Sequence, residues 1–567
     1  ANAGTGIQTY NGAVTLVNDV TLTATGSKVT FNSTVDDNGL TSDESLTVAG
    51  NAEFNALVGG VRALEALSVS GTTLINTTGI TTTSAGGGTG NQFYGDLMTL
   101  LSNTTLTGVT PTFNGVAGGG NDLTLSFSGT TAINGTAFTN IKQLTSNNGG
   151  TTQISGNLTT TGSQTYSDDV TLMTDVILTG TTLAFNGTVN DNGATSDESL
   201  TIAGDVTFNG VVGGTRPLEF LTVNGAARIG ANISTSNADI ALAGNQTYNG
   251  AVTLLNDVTL TATGSKVTFN STVDDNGLTS DETLTITGNA EFNNLVGNTR
   301  PLEALSVSGT TSINTAGITT TSAGGGTGNQ TYTGAATLAT GNDSTVTLTA
   351  TGGTVGFGGT LNGATAGEQG LIVIGNASFG GLTGGTRSLA ALSVTGATSI
   401  GTTGITTSNT GGGTGNQTYT GAVTLATADD TTVTLTATGG TVGFGSGGLN
   451  ATTAGEQGLV IDGKASFGGV VGATPLASLN VSGTTAINTT GITTSNVGGG
   501  SGDQSYTGLV TLGSDTVLTG ALPTFTTGID GVGHDLTLTF SGTTTINGTL
   551  FTDIKQLTSN GGGGTTL

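Results

Sequence analysis

The chain has 567 residues, 100 of them Gly; 8% are charged, with 10 Lys and Arg against 36 Asp and Glu, a formal charge of −26. Cations scattered singly cannot neutralise a phosphate backbone or hold an anionic lipid surface, which sets aside nucleic acid and membrane surfaces as partners. The chain has no Cys for a disulfide framework, and its glycine lacks the Gly-X-Y period of collagen.

With 34% hydrophobic residues alternating with Thr and Ser, the chain is too apolar and too weakly charged for intrinsic disorder. It opens on Ala1–Gln8 (ANAGTGIQ), which reads like the end of AGGGTGNQ at Ala323–Gln330. The last residues, Gln556–Leu567, match the start of Gln143–Leu158 and stop mid-pattern, so a segment cut from a longer array is expected. No apolar run approaches 18 residues, and membrane insertion by this segment is not expected.

The first strong element is Gln8–Leu16, QTYNGAVTL. Variants of it begin at Gln92, Gln164, Gln246, Gln330, Gln417 and Gln504, at steps of 84, 72, 82, 84, 87 and 87 residues. Such self-similarity marks a repeat architecture. Within the first repeat an aromatic or Ile followed by Asn recurs at Tyr10, Phe31, Phe54 and Ile75 before Tyr94, at steps of 21, 23, 21 and 19. The repeat from Tyr248 keeps this beat at Phe269, Phe292, Ile313 and Tyr332, and later repeats exchange Asn for Gly, as at Phe357-Gly358 and Phe444-Gly445. Ile154 to Tyr166 is only 12 residues, which does not fit a 21-residue beat.

The segments between markers are short, β-branched and of period 2, as in Thr345–Gly352 (TVTLTATG), and end at Gly or Asn. About three strands per beat predict an all-β, single-stranded parallel β-helix (β-solenoid) of about 20–21 residues per rung, without helices. A string of immunoglobulin-like sandwiches fits the 84–87-residue step, but it predicts neither the short beat nor a repeat shrunk to 72. About 27 rungs at ~4.8 Å would make one continuous rod near ~130 Å long over residues 1–567. Its interior would hold stacked Phe, with Asn ladders at a bend. The tyrosines of the seven motifs are expected on one side of this rod, each long repeat making about four rungs. A longer period also exists: Pro111–Asn147 returns as Pro523–Asn560.

QTYNGAVTL, VTLTATGSKVTFNSTV, the PLExLxVxG frame and TTxIN…GITT together resemble the repeat regions of large bacterial surface proteins of the filamentous haemagglutinin-like (two-partner secretion) and autotransporter adhesin group. The resemblance spans essentially the whole chain. It implies a right-handed parallel β-helix, secreted to the cell surface, acting as adhesin, stalk or fibre; no functional residue is carried over from the group.

Candidate chemistry is confined to acidic loops. Asp36-Asp37-Asn38-Gly39 with Asp43-Glu44 recurs as Asp191-Asn192-Gly193 with Asp197-Glu198, and as Asp274-Asp275-Asn276-Gly277 with Asp281-Glu282. Carboxylates and an Asn oxygen on one bend suit a hard cation such as Ca²⁺. The spacing is neither that of an EF-hand nor of the nonapeptide pattern, which Gly118–Leu123 only approaches. Ala366–Gly370 and Ala454–Gly458 (AGEQG) keep one Glu of the cluster. The loops are therefore expected to be solvated and to supply solubility. A carboxylate pair for polysaccharide cleavage is the remote alternative.

His534 is the single histidine, and with no Cys a nucleophilic triad has no members. Arg62–Glu65, Arg216–Glu219 and Arg300–Glu303 share the frame R-x-L-E and are expected to pair locally. Asn-x-Ser/Thr triplets such as Asn32–Thr34 and Asn76–Thr78 follow from composition. The expectation is a non-enzymatic extracellular rod with no catalytic, cofactor or metal residues. Its partners would be a surface receptor, matrix or cell-surface glycan, with self-association into a filament or sheath as the alternative.

Overall fold

Inward Val, Leu, Ile and Phe alternating with outward Thr and Ser is what a strand buried on one face requires. The computed structural model, which describes residues 6–39, 44–193, 197–237, 244–277 and 281–567, converts that alternation into a parallel β-solenoid. Two compact units are present, Ala1–Ser271 and Thr272–Leu567. Among the described residues the registered strand pairs are parallel, as at Tyr10↔Phe31, Phe31↔Phe54 and Phe54↔Ile75 in the first unit. In the second, Tyr332↔Phe357, Phe357↔Phe379 and Phe379↔Ile400 follow the same rule. No α-helix occurs among the described residues; Gly135–Ala137 form one 3₁₀ turn.

Each coil carries three strand positions, many only three residues long. Thr432–Phe444 (TVTLTATGGTVGF) covers two of them, with inward Val433, Leu435 and Ala437 before the bend and Val442 and Phe444 after it. Gly439 sits at that bend with φ +73°, a conformation that strains any residue with a Cβ, and Gly26, Gly264 and Gly352 hold the same place in other repeats.

The rung count and the placement of the tyrosines differ from expectation. Between Gln330 and Gln417 the chain makes eleven strand positions, and it does so again between Gln417 and Gln504. Eleven is one short of four coils, so within the second unit each motif begins one face earlier than the last. In the second unit Tyr332 follows Ile286 and Val307 and leads on to Phe357, Phe379, Ile400 and Leu425. Tyr419 follows Val373 and Val394 on another face. Tyr506 follows Leu435, Ile461 and Val481 on the third.

The first unit behaves alike: Tyr10 leads to Phe31, Tyr94 lies over Val69, and Tyr166 continues the column Leu106, Leu125, Ser146. Within each unit the tyrosines thus occupy three faces rather than one side. Coil length is also variable: among registered strand pairs it runs from 18 residues between Ile154 and Leu172 to 30 between Gly317 and Thr347. The 12-residue interval from Ile154 to Tyr166 is then ordinary. Those residues are two faces apart, just as Ile75 and Tyr94 are, with Leu158–Thr159 between them.

The interior matches expectation. Tyr166, Phe185 and Phe208 stack at 5.1 and 5.5 Å, and Tyr419, Phe444 and Phe467 at 5.6 and 5.5 Å. Amide ladders run along one bend: Asn32 Nδ2 donates to Asn11 Oδ1 (2.7 Å), Asn55 to Asn32 (3.0 Å) and Asn76 to Asn55 (3.1 Å). The amides of the triplets at Asn32 and Asn76 are consumed in this ladder.

The motif Gln, read only as a repeat marker, is a buried bracket. Gln417 Nε2 donates to the carbonyls of Ile405 (3.0 Å) and Thr436 (2.9 Å), and the Tyr419 hydroxyl donates to Gln417 Oε1 (3.0 Å). Tyr–Gln bonds of this kind occur in all seven motifs.

Candidate functional site: the acidic corners

The acidic clusters fall where a short strand ends and the chain turns out of the coil. Val189–Asp191 is one such strand and Val273–Asp275 another; their alternation points the final Asp inward, leaving Asn190 and Asp274 facing out. Asp191 Oδ1 accepts from the Gly193 N–H (2.6 Å), and Oδ2 accepts from the N–H groups of Asp197 (3.1 Å) and Glu198 (3.2 Å). The Asn192 side-chain amide donates to Glu198 Oε1. At the second corner Asp275 accepts from Gly277 (2.5 Å) and Glu282 (3.3 Å), and the Asn276 amide donates to Glu282.

Carboxylate oxygens of Asp191, Asp197 and Glu198 lie within 4.8 Å of one another, as do those of Asp275, Asp281 and Glu282. The expected solvated loop is therefore corrected: Asp191 is 2% exposed and Glu198 5%, Asp275 1% and Glu282 4%. Only Asp197 and Asp281 face water. Burial follows from position, because the Asp occupies an inward strand site and the next coil covers it. The Arg216 guanidinium closes the corner from that coil by donating to the Asn192 carbonyl, as Arg300 does to Asn276 and Arg62 to Asn38.

The arginines of the R-x-L-E frames thus reach the turn of the preceding coil. Glu219 instead lies buried, its N–H donating to the Glu198 carbonyl (3.0 Å). Burial, together with Asp175 and Asp197, pushes the Glu219 carboxyl up.

The first corner repeats this geometry with Asp37, Asn38 and Glu44: Asp37 accepts from Gly39 (2.5 Å) and from the Glu44 N–H (3.2 Å), and Asn38 donates to Glu44. Asp43 lies outside the described residues. Burial pushes Asp37 up, but hydrogen bonds from Glu44 and Gly39 and the Arg62 charge outweigh it, leaving the carboxyl below its ordinary range.

Comparison with known proteins adds no relative. No protein family, curated protein or solved structure matches the chain.

Two later repeats build the corner without the charges. Leu361–Gly363 and Leu449–Ala451 replace the strand ending in Asp, and Gln369 and Gln457 take the place of the buried Glu. Gln369 Oε1 accepts from the Thr365 N–H (2.9 Å) and Gln457 Oε1 from Thr453 (3.0 Å). The Glu retained in AGEQG, Glu368 or Glu456, corresponds instead to the exposed Asp281. His534 is a turn residue, with Nδ1 3.5 Å from Asp515 Oδ1.

Burial first, then the Asp191 and Asp197 carboxylates, pushes Glu198 up to about 8; burial with Asp275 and Asp281 does the same to Glu282. Between the ordinary glutamate value, about 4.3, and about 8, the folded corner holds a proton that the unfolded chain has released. Stability from this group is then fully present below the unfolded value and is lost as pH rises toward 8, by at most ~1.4 kcal/mol per pH unit for each glutamate. In chelator, amide exchange at Gly193 and Glu198 is expected to show an opening free energy that falls from pH 5 to pH 8. Glu198→Gln should flatten that slope there and leave it intact at Gly277 and Glu282. Equal slopes in variant and parent would refute the assignment.

Proposed function

We propose that the chain is a non-enzymatic, extracellular rod serving as a structural or adhesive fibre or stalk on a bacterial cell. The observation that supports it most is unbroken registration. In the second unit one column runs Ala336, Leu361, Thr383, Ile405, Leu435, Ile461, Val481, Tyr506 without an inserted fold. Chain used this way gains length, ~4.8 Å per coil, rather than a converged pocket.

The outward strand positions are mostly Thr, Ser and Asn, short and uncharged. They suit a surface in which like residues repeat at coil spacing, where repeated charge would repel. Facing charges come as opposites across coils, as with Lys142–Asp122 and Lys555–Asp535. The acidic corners do not favour polysaccharide cleavage. Their inner carboxylates are covered by Arg216 and Arg300, so a sugar would reach only Asp197 or Asp281.

A receptor, matrix or cell-surface glycan at the far end of the stalk is the partner this reading requires. Electron microscopy of the cell surface that carries the protein tests it. Separate stalks with distal tips are expected; continuous ordered fibres would replace the stalk by a filament or sheath subunit.

A further inference from the structure

We propose that the corners Asp191–Asp197–Glu198 and Asp275–Asp281–Glu282 each bind a divalent cation of the Ca²⁺ class through their carboxylate oxygens. In each, three carboxylates spaced within eight residues of sequence bring oxygens within 4.8 Å of one another. That convergence is joined by a second observation. Glu198 Oε2 and Glu282 Oε2 are buried and have no hydrogen-bond partner, although the other oxygen of each side chain is held by an Asn amide. Each unpartnered oxygen thus belongs to a side chain fixed within the carboxylate cluster.

Once its proton is lost, a buried carboxylate with one oxygen unpartnered is costly unless a counter-charge reaches it. The nearby arginine does not supply it, since Arg216 and Arg300 spend a guanidinium N–H on a main-chain carbonyl. Hard oxygen donors in a turn, with the outer Asp open to water, suit Ca²⁺, which takes six to eight oxygens and tolerates irregular geometry and water ligands. Mg²⁺ demands a near-ideal octahedron and gives up its water reluctantly.

The chain supplies its own control. Where Gly363 or Ala451 stands for the inner Asp, the Glu is Gln369 or Gln457, and its oxygen is satisfied by a main-chain N–H. The two acids are absent together and the corner still folds. The coil therefore does not need the charges. Their joint presence at 191/198 and 275/282 is explained by something the charges hold.

The test uses the whole chain, stripped with chelator and titrated with CaCl₂ and, separately, MgCl₂ by calorimetry at neutral pH. Saturable Ca²⁺ binding is expected, with Kd about 10⁻⁴–10⁻³ M as in extracellular modules, and with weaker Mg²⁺ binding. A variant carrying Asp191→Gly, Glu198→Gln, Asp275→Gly and Glu282→Gln, the pairing used at Gly363 and Gln369, should bind two fewer Ca²⁺ per chain. If that variant fails to fold, the milder pair Glu198→Gln and Glu282→Gln should weaken Ca²⁺ binding at two sites at least tenfold. No saturable heat from the parent in the millimolar range overturns the proposal, as does an unchanged stoichiometry in the fourfold variant or an unchanged affinity in the pair.

Discussion

Gln417→Leu is expected to destabilise the coils around it by ~3–5 kcal/mol, because three buried polar groups lose a partner and each costs ~1–3 kcal/mol when left unmade. The volume is nearly conserved, so the loss is one of hydrogen bonding rather than of packing. The groups are the carbonyls of Ile405 and Thr436, which accept from Gln417 Nε2, and the Tyr419 hydroxyl, which donates to Oε1. The Tyr419 hydroxyl cannot turn to water instead, since Gln417 and Tyr419 are fully buried.

Tyr419→Phe removes one donor and leaves one amide oxygen unpaired, so it should cost ~1–2 kcal/mol. Neighbouring coils stabilise one another in a solenoid, and a single global midpoint does not isolate the damage. Amide exchange near Val394, Thr407 and Gly445 is the measurement. The expected order is parent, Tyr419→Phe, Gln417→Leu, with protection falling. Equal protection in parent and Gln417→Leu would show that the bracket carries no stability.

Why the sequence conceals this bracket, yet discloses the coil, is a matter of which interactions leave a period. Burial of alternate residues writes Val433, Leu435 and Ala437 directly into the chain at period 2, and the strand type follows from it. Aromatic stacking writes Tyr419, Phe444 and Phe467 at roughly one coil apart, because like rings pack best above each other. The Asn ladder is legible for the same reason.

The rotation of the repeat is not. It depends on counting eleven strand positions, and several of these are single inward residues such as Val58, Val212 and Thr383, with no periodic neighbour to mark them. Glycine-rich turns of varying length hide the rest, so spacing in residues is a poor measure of spacing in coils. Gln and Tyr two apart in a strand must face the same way, and that much was readable. What was not readable is that the face is buried at a corner, where an amide can reach two carbonyls. The acidic corners failed similarly: the clusters stand out by composition, but their burial comes from Asp191 ending an inward-facing strand and from Arg216 in the following coil.

The other large effect concerns a column of glycines in the second unit, Gly288, Gly309, Gly334, Gly359 and Gly381. A Cβ on Gly334 would lie 2.3 Å from the Gly309 carbonyl oxygen, and one on Gly359 would lie 2.5 Å from that of Gly334. Apart from Gly288, none of these needs a positive φ; the demand is for space between stacked backbones. The Gly309 N–H donates to the Gly288 carbonyl at 2.9 Å, so the coils cannot separate to admit a methyl group without stretching the ladder.

Gly334→Ala is therefore expected to cost ~1–3 kcal/mol, as overpacked cores do, with Gly334→Val above that range. Gly341, seven residues on, has open space within 4 Å of its would-be Cβ and no positive φ. Gly341→Ala should be neutral or stabilise by up to ~1 kcal/mol through the unfolded chain. The two substitutions are chemically identical, close in sequence and opposite in expected sign. Guanidinium unfolding of the two variants side by side reads the difference. If Gly334→Ala is as stable as Gly341→Ala, the coils are not held at the spacing the ladder defines.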